Sequence, residues 1–148
     1  MNIIEKIEQD LHTAMREKDA VMVRALRLAM ASIKYVEKEN REPLDDLGVI
    51  AVLQKEIKIH NETMEEAKKG GRQDLVAECA TDIAILEKYL PAPISEAELE
   101  ELVKNIIQET GATSMKEMGK VMPLVVQQVN GRAPNNLISQ IIRKFLAG

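Results

Sequence analysis

Apolar residues recur at every third or fourth position along nearly the whole chain, and the main interruptions of that rhythm fall at glycine and proline. A period near 3.6 marks amphipathic helices, whereas strands alternate every second residue. Ile3, Ile4, Ile7, Leu11, Ala14 and Met15 form a first stripe, opened by Asn2 and Glu5 in the N-cap-to-N3 relation. Met22, Ala25, Leu26, Ala29, Ile33 and Val36 form a second, from a cap at Asp19 to about Asn40, ahead of Pro43. A third starts near Asp45 or Asp46 with Ile50, Leu53, Ile57, His60, Met64 and Ala67, and ends at Gly70-Gly71. Val76, Cys79, Ile83, Leu86 and Leu90 make a fourth, stopped by Pro91-Ala92-Pro93. Glycine and proline together number 12, so little else in the composition resists helix.

Four amphipathic helices joined by short turns cannot bury their stripes singly, and a mostly antiparallel bundle is the economical solution. The paired prolines forbid helix continuation and set the expected domain boundary: residues 1–92 and residues 93–148. Beyond them, Ser95-Glu96-Ala97-Glu98 is a capping box for a helix burying Leu99, Leu102, Val103, Ile106 and Ile107 up to Gly111. Ser114 and Glu117 repeat that spacing over a very short helix, Met115 to about Met122. Pro123 suits the first position of another, ending at Asn130-Gly131. A last helix from about Asn135 buries Leu137, Ile138, Ile141, Ile142 and Phe145. The expected class is all-α, a four-helix bundle-like lobe followed by a small helical lobe. At about 55 residues the second lobe is marginal alone and is expected to lean on the bundle or a partner.

The net charge of −4 argues against a wholesale polyanion binder, but the charge is unevenly placed. Past residue 95 every acid except Glu117 precedes Gly111. After it come Lys116, Lys120, Arg132, Arg143 and Lys144, five bases against one acid. No stretch approaches the roughly 18 apolar residues of a membrane span, so no membrane partner is expected. The start lacks the apolar run of a signal peptide, and the single cysteine cannot form an internal disulfide; a cytoplasmic location is expected.

Cys79 sits on the apolar seam of the fourth helix, without the neighbouring cation or histidine that activates a thiol, and is expected to be structural. His12 and His60 follow Glu8 and Glu56 by four residues. Two-metal helical bundles instead use a spacing of three with further inward carboxylates, so no metal and no cofactor is expected. Ser32, Ser95, Ser114 and Ser139 lie in no nucleophile elbow, and the glycines lack phosphate-loop spacing. Catalysis by this chain alone is not expected. On the second helix Arg24, Arg27, Lys34 and Lys38 fall within about a third of the circumference, either a phosphate-contacting stripe or a solvated face relieved by Glu37 and Glu39. The segment from Gly111 to Met122 brings two helix starts close to Lys116 and Lys120. It is equally suited to hold phosphate or to form a tight corner in which Gly119 permits close packing.

Met118-Gly119-Lys120-Val121-Met122, followed by Gly131-Arg132-Ala133, resembles the signature of the GatB/YqeY family. Leu26-Arg27-Leu28, Leu53-Gln54-Lys55-Glu56-Ile57-Lys58, Gly71-Arg72-Gln73-Asp74-Leu75 and Tyr89-Leu90-Pro91 are similar to YqeY proteins too, so the resemblance spans nearly the whole chain. It implies a module like the tail of GatB, the subunit that helps amidate mischarged tRNA with glutamine as nitrogen donor. The tail contacts tRNA and lies apart from the catalytic parts. A tRNA- or RNA-binding accessory module is therefore implied, with a protein-docking adaptor of amide or tRNA metabolism as the alternative and a carbon–nitrogen ligase as a third possibility. The nucleic-acid candidates are Lys116, Lys120 and Arg132 by resemblance, Arg143 and Lys144 by charge, and Arg24, Arg27 and Lys34 from the helical stripe. Where the family often has an acid after Gly-Arg-Ala, this chain has Pro134, and Asn135 is the candidate replacement cap. Tyr35, Tyr89 and Phe145 are the only aromatics, so recognition by backbone and shape is expected rather than base stacking.

Overall fold

The computed structural model describes residues 1–147. Among them the chain forms seven α-helices and no strand: α1 (Ile3–Arg16), α2 (Ala20–Asn40), α3 (Asp46–Lys69), α4 (Gln73–Glu87), α5 (Glu96–Thr110), α6 (Met118–Val129) and α7 (Asn135–Ala147). A single 3-10 turn, Met115–Glu117, precedes α6. The class is all-α, as the apolar rhythm predicts. By compactness the chain divides into Met1–Leu90 and Pro91–Gly148.

In the first unit the caps do what their sequence spacing requires. Asn2 accepts from the Glu5 N–H, Asp19 from Met22 and Asp45 from Gly48, each a contact of about 1 kcal/mol. Ile7, Leu26, Ile33, Val49, Leu53 and Leu86 share one core. α3 lies along α4 and α1 along α2, while α2 also meets α3 and α4. The Ile3 N–H donates to Asp46 Oδ1 at 3.0 Å, which ties the first turn of α1 to the first turn of α3.

The second unit packs α5, α6 and α7 around Leu99, Val103, Val121, Val125, Ile138 and Ile142. Ser95 caps α5 by accepting from Glu98, and Gly111 closes it in the left-handed region with φ 73°. Three local expectations fail here. Pro123 does not begin a new helix but lies inside α6. It sits early in the helix, where its missing N–H leaves only the Gly119 carbonyl without a ladder partner. Burial of Val121, Val125 and Val129 on one face, at about 1.5–3 kcal/mol each, outweighs the roughly 3 kcal/mol that an internal proline costs. Ser114 makes no capping bond; instead the Glu117 carboxylate accepts from the Thr113 N–H at 2.9 Å. Asn135 does not replace the missing acidic cap. The Pro134 carbonyl receives the Leu137 and Ile138 N–H groups, so Pro134 holds the cap position and Asn135 is already helical.

Candidate nucleic-acid interface

Each candidate cation belongs to one of two groups, decided by whether an acceptor of the chain itself reaches it. Arg24 on α2 lies 2.9 Å from Asp82 Oδ1 and 3.0 Å from Glu78 Oε1, both on α4. The hydrogen bond to Asp82 raises its pKa and, with the two neighbouring carboxylates, outweighs the lowering effect of burial. Arg24 is thereby an internal clamp between α2 and α4 rather than part of an outward phosphate stripe. Arg132, in the turn between α6 and α7, donates from Nε to the Ala92 carbonyl at 3.0 Å and approaches Glu98 at 3.8 Å. Its own carbonyl accepts from the Ile94 N–H. Residues 92–94 are thus strapped to the α6–α7 turn. Lys144 on α7 pairs with Glu100 of α5 at 3.1 Å and lies 5.6 Å from the Phe145 ring centre.

Lys116, Lys120, Arg143, Arg27 and Lys34 are exposed and meet no carboxylate among the described residues. Lys116 occupies the 3-10 turn and Lys120 the first turn of α6, with Gly119 between them in sequence. A Cβ placed on Gly119 would meet nothing within 4 Å, and its φ is not in the left-handed region. Close packing is therefore not what Gly119 serves. Its bare backbone leaves the surface open at a helix start, where the dipole favours anions, between two exposed lysines of the sequence. Glu117, the one acid nearby in sequence, is turned back onto the Thr113 N–H.

Sequence spacing did not reveal the most buried polar group of the first unit. Asp82 is 5% exposed and takes Arg24 on one oxygen and the His60 Nε2, 3.4 Å away, on the other. His60 Nδ1 lies 2.7 Å from the Glu56 carbonyl, while the Glu56 carboxylate accepts from Ser32 Oγ at 2.7 Å. Glu56 and His60 therefore do not converge as metal ligands, and no group of three such side chains placed for a metal occurs among the described residues. A signal for this cluster existed: Asp82 interrupts the apolar stripe between Cys79 and Ile83. Cys79 itself is buried, and burial, followed by the charges of Asp82 and Glu78, pushes its thiol pKa up. A thiol held protonated is a poor nucleophile.

A cleft of about 400 Å³ lies against α1 and the end of α4, where Tyr89 donates to Asp10. Asp10, Glu17 and Asp19 outnumber Lys6 and Lys88 on its walls, so it is no anion site. No described helix is long and apolar enough to cross a membrane.

A family model described as Yqey-like protein matches residues 4–146. Among similar curated proteins is "Altered inheritance of mitochondria protein 41, mitochondrial" of Pyrenophora tritici-repentis, 29% identical over 136 residues, covering 88% of this chain and 73% of that protein. The protein of the same name in Lachancea thermotolerans is 27% identical over 153 residues, covering 98% and 82%. That of Kluyveromyces lactis is 32% identical over 106 residues, covering 71% and 57%. These names are mitochondrial, which overturns the expected cytoplasmic location. A lone buried cysteine is compatible with any reducing compartment and does not single out the cytoplasm.

Proposed function

The chain belongs to the YqeY-like protein family, and from that premise we propose that it is an RNA-binding accessory protein with tRNA as its ligand. It grips the phosphate backbone through Lys116, Lys120 and Arg143. One observation carries this reading. Lys116 and Lys120 stand exposed and unpaired beside the open Gly119 at the start of α6, while the adjacent acid is occupied elsewhere. Arg132 and Lys144 contribute from within, by holding the lobe together through Ala92, Glu98 and Glu100. Phe145, the only aromatic ring of the second unit, is half-buried, with Lys104 Nζ 5.2 Å from its centre. Base stacking is accordingly a minor part of recognition, and shape and charge the major part.

Three phosphate contacts imply that log K falls with log salt at a slope of about −2 to −3, at ~0.7–0.9 per phosphate. Filter binding of purified tRNA across a salt series measures that slope. Absence of any retained tRNA at low salt rejects RNA binding.

A further inference from the structure

The outward side of α2 carries a row of side chains that RNA binding leaves unused. Val21, Leu28 and Tyr35 stand seven residues apart and are 42%, 51% and 65% exposed. Seven residues is close to two turns, so the three lie along one line about 21 Å long at 1.5 Å per residue. Ala31, also exposed, falls between Leu28 and Tyr35 and gives the 3-4 spacing of a helix–helix seam. Single exposed apolar groups are ordinary on a protein surface, whereas a row of them marks a contact. Here the row is broken once, by Arg24 at the seam position between Val21 and Leu28, and is unbroken from Leu28 through Ala31 to Tyr35.

The row has one basic flank. Arg27 and Lys34 repeat the seven-residue spacing one position earlier, and Lys38 lies one turn beyond Tyr35; all three are exposed and meet no carboxylate among the described residues. The neighbouring acids are largely engaged: Glu78 and Asp82 hold Arg24, Glu56 holds Ser32, and Glu37 accepts from the Leu44 N–H. Glu39 on the other flank and Glu42 just past the end of α2 remain exposed.

We propose that this ridge docks an amphipathic helix of a partner protein, whose apolar residues lie on Val21, Leu28 and Tyr35 and whose Asp or Glu residues face Arg27, Lys34 and Lys38. Charge selects the partner. A second copy laid antiparallel on the same ridge sets Arg27 and Lys34 against their own counterparts, a repulsive arrangement. Nucleic acid finds cations here, but Val21, Leu28 and Ala31 offer nothing to phosphate or sugar, and Tyr35 is a single ring rather than a stacking platform.

The test uses the full chain and two fluorescent 21-residue helical peptides, with leucine at the seam positions and either glutamate or lysine at both flanks. The glutamate peptide should bind, and the lysine peptide should bind at least tenfold more weakly. The double variant Leu28→Ala/Tyr35→Ala should lose at least tenfold in affinity for the glutamate peptide. Arg27→Glu/Lys34→Glu should also weaken it, while Lys116→Glu/Lys120→Glu should leave it unchanged. All these positions are exposed, so far-UV circular dichroism should match the parent chain. Four outcomes overturn the proposal: no binding of the glutamate peptide, equal binding of both peptides, a dimer in sedimentation that Leu28→Ala/Tyr35→Ala dissolves, or loss of tRNA binding in Arg27→Glu/Lys34→Glu.

Discussion

Asp82 accepts from Arg24 and faces His60 while 95% of its surface is withdrawn from water. A buried carboxylate survives only when its acceptors are filled, and its removal orphans the donors around it. The Arg24 Nε, already buried without a partner, makes that loss heavier. Asp82→Ala should cost about 2–3 kcal/mol in urea unfolding, and Asp82→Asn less because it retains one acceptor. Cys79 gives a second residue-scale expectation. Its thiol pKa is raised in the fold above an ordinary value of 9.0, so folding favours the protonated form. That contribution is complete below the ordinary value and fades as pH rises through the folded one. Tyr89, raised by burial and by its hydrogen bond to Asp10, acts in the same direction from higher pH. Urea midpoints should therefore fall at alkaline pH, and the fall should be shallower in Cys79→Ala; parallel curves for the two proteins would refute burial of the thiol as the cause.

Among the elements, α6 sets two demands against each other. Gly119 lies exposed within the helix, and nothing in its surroundings excludes a methyl group. Gly119→Ala should raise stability by about 0.5–1 kcal/mol through helix propensity alone. If the bare backbone serves RNA, the same variant should weaken tRNA retention, so stability and affinity move in opposite directions. Gly111 supplies the contrast. It ends α5 with φ 73°, a region that costs an alanine about 1–2 kcal/mol, so Gly111→Ala should destabilise although its site is equally open. Thermal melts of both variants, beside filter binding, separate a glycine needed for its backbone angle from one needed for its surface.

For the whole molecule, the decisive quantity is which positive charges remain after internal pairing. Lys116→Glu/Lys120→Glu should weaken every tRNA alike and reduce the salt slope by about one to two, with the melting temperature unchanged. Arg132→Gln, by contrast, should lower the melting temperature, because Arg132 holds Ala92 and Glu98. Equal effects of the two changes on stability would show that no such division of labour exists. The α2 ridge adds a second outward surface of different chemistry, apolar with a basic edge, on the other compact unit.

Helices, their capped starts at Asn2, Asp19, Asp45 and Ser95, and the glycine stop at Gly111 could be read from sequence because each depends on residues within a turn of one another. Pro123 and Ser114 were misread by the same local rules, since burial of the α6 valines and the reach of Glu117 outweighed them. The candidate site was legible only as a local excess of positive charge. Tertiary structure alone decided which charges stay available. Arg24 meets an acid 58 positions away, Lys144 one 44 away and Arg132 a carbonyl 40 away. A period or a motif carries no information at that range, because such pairs form only when packing brings distant helices side by side.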